Sequence, residues 1–533
     1  MSQRSDWIDA FAAGRPLDGP RRAELRDAAA VLRGASAEEL ERVLTAAQLG
    51  VAASPSAASA DQSDSETASA LLPVADEPLL DAALEALLPR HAPRPDAAGI
   101  ALTSEAVQSI AQLYRGLGET SRVRWRLLRA LAADGSRAAL AAFAALAADD
   151  PPPDTRQADL AFAPLLQHAE LDVAALFPRL LDGVAQLSVA ALVLDVANYA
   201  KRRGLVERHP AADRAAELSM LLAKFVGALD RIERSAVEPS QSPQELRRMV
   251  SDAVPIVVAL CDALALIGDP AIVGKLRQVL ALGHRRLRTE AAAALARLGE
   301  EEGVEILVGM AAERVVRNRA IVYLEELDLV ERVPERFRTP AARAEGTFAE
   351  WLAQPTQFGI APHDVSLFDL CPQHWPGYAE SVDCYLLRYE FQLPHGPLSG
   401  VGIVGPVTHC LPVDLEDLPP ADIYAAYAGW HAEHDEIRET DAAELSEEER
   451  AAFARYAPNL ETLGFADVSL VKLGRFFGQA VPVAAAIRGE VAGTVVVEGR
   501  EVHWFPRGVT RRPIGPQEAY YIFKGRKLLR AFN

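Results

Sequence analysis

The side chains best suited to chemistry are concentrated in residues 363–434. This segment holds three of the four cysteines and six of the eleven histidines. Cys371-Pro-Gln-His374 has a spacing that zinc sites use, and His431-Ala-Glu-His434 places two imidazoles almost one turn apart on a predicted helix over 422–437. Thiolate and imidazole bind zinc when three or four of them converge. Cys371, His374, His431 and His434 are therefore the candidate metal ligands, and zinc is the only cofactor suggested.

Packing in a core is the alternative interpretation of these histidines. His434 continues an apolar stripe at helical spacing, formed by Ile423, Tyr427, Trp430 and Ile437. No second paired motif of standard spacing follows, and the HExxH pattern of zinc proteases does not occur, because Glu433 lies inside the histidine pair. Packing is the favoured interpretation, and the zinc site is its rival.

A glycine-rich motif, Gly400-Val-Gly402-Ile-Val-Gly405, matches the GxGxxG pattern. In a dinucleotide-binding fold this pattern links a strand to a helix whose N-terminus holds the pyrophosphate. Here Pro397 precedes the motif and Pro406 directly follows it, and the motif itself has the composition of a strand. We therefore attribute the match to chance and expect no nucleotide-binding residues.

Arginines recur at the start of two successive predicted helices. Arg285 and Arg288 begin the first helix, and Arg317 and Arg319 begin the second. Ion pairs between repeats, with Glu290, Glu300 and Glu313, are one explanation. The other is a surface that binds an acidic protein segment or, less favoured at a net charge of −19, a nucleic-acid backbone. The four arginines are the candidate partner-binding residues.

Two helix–turn–helix units in residues 268–327 position these arginines. Asp269 and Pro270 are suited to the cap and the first turn of a new helix, and Gly299 is suited to the turn that ends one. Leu264, Leu295 and Leu324 repeat at separations of 31 and 29 residues. Because one helix pair cannot bury its apolar face alone, we expect several stacked units.

Residues 253–328 resemble the short HEAT-like repeat family, the type also found in phycobilisome-lyase-related proteins. Residues 268–272 and 288–299 carry the resemblance, whereas Gly283-His284 stands where the family commonly has an aspartate before the second helix. The resemblance implies an alpha-solenoid that serves as a binding scaffold, and it does not imply lyase activity.

Composition and pattern predict a mainly α protein, with a HEAT-like alpha-solenoid followed by a smaller α+β C-terminal domain. Half of the residues are hydrophobic and only 6% are aromatic, which is typical of alanine- and leucine-rich helical packing. The predicted segments are N-terminal helices (1–50), a flexible linker rich in alanine and serine (51–72), an array of degenerate helical repeats (73–250), HEAT-like repeats (251–333) and the α+β domain (340–533).

Alternation of large apolar residues predicts strands in the last domain. Tyr385, Leu387, Tyr389, Phe391 and Leu393 fall on one side of a strand over 382–393. We also predict a hairpin over 495–505 that turns at Glu498-Gly499, and a second hairpin over 520–532 that turns at Lys524-Gly525.

Charge and apolar patterning restrict compartment and partners. The net charge of −19 disfavours general binding to nucleic acid or to anionic membranes. Residues 187–197, the most apolar stretch, are too short to cross a bilayer, the N-terminus lacks a hydrophobic signal core, and four cysteines make no disulfide framework. We expect a cytoplasmic protein without a membrane segment, of a composition typical of bacterial genomes rich in GC.

The leading functional hypothesis is a non-enzymatic scaffold that binds a protein partner through the solenoid. The alternative is a metal-dependent (zinc) enzyme or zinc module with its site in residues 363–434.

Overall fold

The computed structural model describes residues 102–117, 121, 123–234, 242–508 and 511–532. The chain divides into two compact units between Val304 and Glu305. The N-terminal helices predicted over 1–50, the linker predicted over 51–72 and the first part of the array predicted over 73–250 lie outside the described residues.

The first unit contains helices and no strand in its described residues. Its α-helices are α1 (Ser104–Gly116), α2 (Arg124–Asp134), α3 (Arg137–Asp149), α4 (Thr155–Phe162), α5 (Val173–Leu176), α6 (Ala190–Arg202), α7 (Ala215–Arg234), α8 (Pro243–Ile267), α9 (Val273–Leu280), α10 (Arg285–Arg297) and the first part of α11 (Glu301–Met310). Four 3-10 turns, Ala163–Leu166, Arg179–Ala185, Ala212–Arg214 and Pro270–Ile272, lie between them.

Local sequence signals account for the ends of these helices. Ser242 and Glu245 form a capping box that begins α8, and Gly268, with a φ of 79°, ends it. The predicted cap at Asp269 is confirmed, because its carboxylate accepts a hydrogen bond from the Ala271 N–H at 2.9 Å. Left-handed backbone and side-chain caps satisfy helix ends without tertiary partners, so the sequence alone marks these boundaries.

The helices of the first unit lie in two rows. α2, α4, α6, α8 and α10 form one row, and α1, α3, the turn Arg179–Ala185, α7 and α9 form the other. Apolar side chains of both rows share one buried cluster that extends from α1 to α10 (among them Leu127, Phe143, Leu194, Leu260 and Leu295). The helices before residue 250 and the predicted repeats therefore share one core.

Hydrogen bonds between α6 and α8 show that these two helices run parallel. Asn198 Nδ2 donates to the Ala259 carbonyl at 3.2 Å, and Arg202 Nε donates to Asp262 at 3.2 Å. The two bonds join residues that are 61 and 60 positions apart. A nearly constant separation is possible only if both helices advance in the same direction. Parallel neighbours in one row are what a stack of repeated helix pairs requires.

The stretch Gln244–Ile267 of α8 has the length and apolarity of a membrane span, with a mean hydropathy of 2.1. However, 56% of that window is buried inside the protein. A buried core helix of a globular fold can have the same length and apolarity, so this helix is weak evidence for a membrane span.

The second unit combines helices with two antiparallel sheets. Its helices are α12 (Arg314–Glu326), α13 (Glu335–Arg338), α14 (Pro340–Leu352), α15 (Pro420–His431), α16 (Glu447–Ala454), α17 (Ala457–Thr462) and α18 (Pro516–Phe532). Strands β1 (Asp364–His374), β2 (Ser381–Leu393), β3 (Gly396–Val404) and β4 (His409–Cys410) form one sheet in that order. Strands β5 (Ile437–Asp441), β6 (Phe465–Phe476), β7 (Gln479–Arg488), β8 (Val491–Glu498) and β9 (Glu501–Pro506) form the other.

Each sheet buries both faces against helices. The face of β2 that carries Tyr385, Leu387, Tyr389 and Phe391 packs on α14, which confirms the predicted alternation. The opposite face of the first sheet contacts α15, and α18 covers one face of the second sheet. The remaining face of the second sheet packs on Leu460 of α17. The hairpin predicted over 495–505 is confirmed, since β8 and β9 pair from Gly493 to Pro506.

The hairpin predicted over 520–532 is wrong. Residues 516–532 form the single helix α18, and Gly525 lies inside it rather than in a turn. A Cβ at position 525 would lie 1.7 Å from the Ala425 carbonyl oxygen, and one at Gly429 would lie 2.0 Å from the Tyr521 carbonyl oxygen. Glycine is required at both positions because the backbones of α15 and α18 touch there.

Candidate functional site

A row of charged side chains crosses α6, α8 and α10 in the first unit. Asp262 of α8 accepts hydrogen bonds from Arg202 of α6 and from Arg297 of α10, each at 3.2 Å. Two further charged residues lie on the same sides of these helices, because Asp195 precedes Arg202 by two turns and Arg286 precedes Arg297 by three. We call the surface formed by Asp195, Arg202, Asp262, Arg286 and Arg297 the charged face.

Carboxylates are in excess at the Asp195 end of the charged face. The Asp195 side chain reaches solvent, as does that of Asp159 on α4. Desolvation by the surrounding helices raises the pKa of Asp195 to about 7, and the charges of Asp262, Asp159 and Glu290 raise it further, whereas Arg286 opposes the shift. Such a carboxylate gains from the approach of a cation, which relieves the repulsion between like charges.

The four arginines that the sequence predicts to bind a partner differ in how exposed they are and in which unit they belong to. Arg285 is exposed and Arg288 is half-buried at the start of α10 in the first unit. Arg319 is half-buried on α12 in the second unit, and its guanidinium lies 3.8 Å from Glu350. Arg277 of α9 pairs with Glu300 at 2.8 Å and with Glu302 of α11 at 2.7 Å.

Arg317 is buried, which corrects its assignment to a partner-binding surface. Its side chain is only 4% exposed. The guanidinium donates to the Ala311 carbonyl at 2.9 Å, the Ala342 carbonyl at 2.7 Å and the Glu345 carboxylate at 3.2 Å. It joins α12 to α14 within the second unit and is inaccessible to another protein. Spacing alone could not distinguish it from Arg319, two positions away.

The four candidate zinc ligands lie on three elements of the second unit. Cys371 and His374 lie on β1, His431 is the last residue of α15, and His434 lies beyond the end of that helix. The predicted helix over 422–437 is therefore too long at its C-terminal end, and the two histidines do not share a helical face.

Hydrogen bonds hold both members of the histidine pair. Trp375 Nε1 donates to His431 Nδ1 at 3.0 Å, and the Glu436 N–H donates to His434 Nδ1 at 3.1 Å. Because each Nδ1 accepts, each neutral ring carries its proton on Nε2 and has no lone pair there for a metal. Zinc binding by either ring would require breaking one of these bonds, and the zinc assignment stays a prediction.

The GxGxxG motif forms most of strand β3 and serves packing. A Cβ at Gly402 would lie 2.1 Å from the Phe348 ring, and a Cβ at Gly400 would lie 2.8 Å from the Tyr389 hydroxyl. Gly400 and Gly402 make room for aromatic side chains on one face of the first sheet, and a Cβ at Gly405, just after the strand, would lie 2.5 Å from the Asp383 carbonyl oxygen, so packing explains all three glycines.

Two groups of charged residues escaped the sequence prediction. Asp195 and Arg202 are charged residues seven apart, two turns along one side of α6, and that spacing is the signal for the charged face. The other group is Glu498, Glu501 and His503, whose ligand atoms all lie within 4.8 Å of one another. Among the described residues this is the one group of three histidine, cysteine or carboxylate side chains so close together. Its signal is a glutamate on each side of the predicted turn and a histidine two residues after the second glutamate, on the same face of the strand.

Comparison with known proteins identifies part of the chain. The profile of the family described as HEAT repeats matches residues 245–325, a stretch that begins in α8 and ends in α12. No curated protein and no solved structure gives a match. The matched residues include the two helix pairs for which the sequence predicted HEAT-like repeats. The chain therefore contains a HEAT-repeat region within its array of helices.

Proposed function

We propose that the helical rows form an alpha-solenoid scaffold and that its charged face binds a protein partner. A HEAT-repeat region is in itself typical of an interaction scaffold, because stacked helix pairs present an extended surface to a ligand. The parallel course of α6 and α8 and the single core from α1 to α10 support the extension of the solenoid beyond the matched residues.

The carboxylates around Asp195 are the observation that carries the proposal. Asp159 and Asp195 reach solvent on neighbouring helices of one row, and Asp262 adds a third carboxylate close by. A lysine or arginine of the partner placed over Asp195 would gain from the charges of Asp159 and Asp195, whereas Asp262 is already paired with Arg202 and Arg297. The same charges repel phosphate, so a basic protein segment fits this surface better than a nucleic acid does.

Arg285, Arg288 and Arg319 stay candidate contacts for acidic residues of a partner. Arg285 and Arg288, which lie in the first unit with the charged face, would require that a partner segment bound there carry both signs of charge. A partner with basic residues alone would use the Asp195 end of the charged face and leave these arginines aside.

Charge neutralisation tests the assignment of the face. We would couple the full-length protein to beads, capture partners from a lysate of the source organism, and compare wild type with Asp159→Asn/Asp195→Asn. The matched control is Glu170→Gln/Glu207→Gln, which neutralises two exposed carboxylates of the same unit. We expect the affinity for the captured partner to fall about tenfold in the first variant, equivalent to about 1.4 kcal/mol, and to be unchanged in the control. Equal loss in both variants, or none in either, would remove the charged face as the binding surface.

A metal-binding module in the second unit is a second candidate function. The group of Glu498, Glu501 and His503 is the observation in its favour.

A further inference from the structure

We propose that the hairpin formed by β8 and β9 binds one divalent transition-metal ion through Glu498, Glu501 and His503. Glu498 and Glu501 are direct partners across the two strands, at the last pair before the turn through Gly499. His503 follows Glu501 by two residues on the same strand, so the three side chains lie on one face of the hairpin.

The distances in this group suit a bridging ion better than a hydrogen bond. His503 Nε2 lies 3.8 Å from a carboxylate oxygen of Glu498 and 3.8 Å from one of Glu501. A hydrogen bond requires about 3 Å. Two ligands that are each about 2.1 Å from a zinc ion in tetrahedral geometry are about 3.4 Å apart. Small side-chain rotations would therefore close the three ligands around an ion.

The imidazole of His503 has an unused nitrogen that faces the two carboxylates. Its Nε2 is buried and has no hydrogen-bond partner in the described part of the chain. The ring packs against Phe523 of α18, with the ring centroids 5.0 Å apart, so its orientation is held. An unprotonated Nε2 in this orientation would direct its lone pair toward the two carboxylates.

Glu498 and Glu501 place two negative charges opposite each other on the hairpin. Like charges directly opposite each other on antiparallel strands destabilise the pair. Lys527 of α18 lies 2.6 Å from a Glu498 oxygen and neutralises that carboxylate. Glu501 is 71% exposed, and one of its carboxylate oxygens lies 3.8 Å from the His503 imidazole. A divalent ion would neutralise both carboxylates, and it would have to compete with the Lys527 ammonium for Glu498.

The ligand set defines the class of ion. One imidazole nitrogen and two carboxylate oxygens suit zinc, manganese or iron(II) better than calcium or magnesium, which prefer oxygen alone. The exposure of Glu501 leaves room for water or a further ligand at the ion. This site shares no residue with Cys371, His374, His431 and His434, so the two zinc assignments can be tested against each other.

Zinc titration of the full-length protein without a His tag, after removal of metals with a chelator, tests the site. Isothermal titration calorimetry should give one zinc per chain for wild type. Glu501→Gln and His503→Gln should each weaken binding by at least tenfold, whereas Cys371→Ser/His374→Ala should leave it unchanged. Glu501→Gln changes an exposed side chain, so it separates loss of a ligand from loss of the fold.

Lys527→Met distinguishes a metal site from an ordinary ion pair. Removal of the competing ammonium should tighten zinc binding by about fivefold or more. If Glu498 serves only as the partner of Lys527, the substitution leaves zinc affinity unchanged or weakens it, and the proposal is overturned. The same conclusion follows if wild type binds no zinc, or if Glu501→Gln and His503→Gln bind it as wild type does.

Discussion

Asn198 Oδ1 accepts a hydrogen bond of 3.0 Å from His209 Nε2 inside the first unit, where both side chains are 3% exposed. The other nitrogen of the ring, Nδ1, accepts from the Ala211 N–H at 3.1 Å. Asn198 in turn donates to the Ala259 carbonyl of α8. This chain of bonds connects the segment after α6 to two helices of one row, and it requires a neutral His209 because a proton on Nδ1 would displace the Ala211 N–H.

His209 should make the first unit less stable in acid. Burial lowers its pKa to about 4, and Lys201 adds to this effect while Asp262 opposes it. The unfolded chain, with a histidine pKa of about 6.5, binds the proton more readily, so this contribution is complete above pH 6.5 and is lost as pH falls toward 4. Between pH 8 and pH 5, protonation linked to this residue should lower the free energy of unfolding by about 2 kcal/mol.

The comparison of wild type with His209→Gln isolates this contribution. Urea unfolding at pH 8 and pH 5 should show that the difference in unfolding free energy between the two proteins shrinks by about 2 kcal/mol at the lower pH. A difference that is equal at both pH values would mean that His209 is not held neutral.

Asp195 should have the opposite dependence on pH. Its pKa is raised to about 7, so the folded protein binds the proton more readily than the unfolded chain, and stability from this residue increases as pH falls through 7. Asp195→Asn should therefore raise the melting temperature more at pH 8 than at pH 5. The control Glu170→Gln changes an exposed carboxylate and should show no such difference between the two pH values.

Arg317 should be essential for the stability of the second unit. Arg317→Ala removes three hydrogen bonds and leaves half-buried Glu345 with only the longer ion pair to Arg314, at 3.8 Å, so we expect a cost of about 3 kcal/mol. Arg319→Ala is the matched control, since its ion pair is longer, at 3.8 Å, and its side chain is 35% exposed. We expect the control substitution to lower the free energy of unfolding by less than about 1 kcal/mol. Similar losses of unfolding free energy in the two variants would contradict the structural role of Arg317.

Two glycine-to-alanine substitutions should change the stability of the protein in opposite directions. Gly525→Ala places a Cβ 1.7 Å from the Ala425 carbonyl oxygen and must push α15 and α18 apart, at a cost of several kcal/mol. Gly227→Ala, inside α7, meets nothing within 4 Å and should stabilise that helix by about 0.5–1 kcal/mol. Thermal melting of both variants is the measurement, and a tolerated alanine at 525 would show that the two helices do not touch there.

The sequence by itself determined features that depend on neighbours in the chain. The cap at Asp269, the turn at Gly299 after α10, the alternation in β2 and the turn of the β8–β9 hairpin were predicted and confirmed. So was the HEAT-repeat region, because its helix pairs repeat at a period that is visible in the chain. Each of these features involves residues within one turn, one strand or one repeat of each other.

Tertiary structure decided what distant residues do. Residues 520–532 have two apolar runs on either side of Lys524-Gly525, which suit a hairpin, but close packing of α18 on α15 makes the segment a helix. Burial separates Arg317 from Arg319, although both occupy the start of one helix. Asp262 accepts a hydrogen bond from Arg202, which is 60 residues away in the chain. The charge of Lys527 on α18 likewise acts on His503 of β9. Whether a charged side chain forms a binding site or a structural contact depends on the dielectric constant and the partners around it. Both are set only when separate segments pack together.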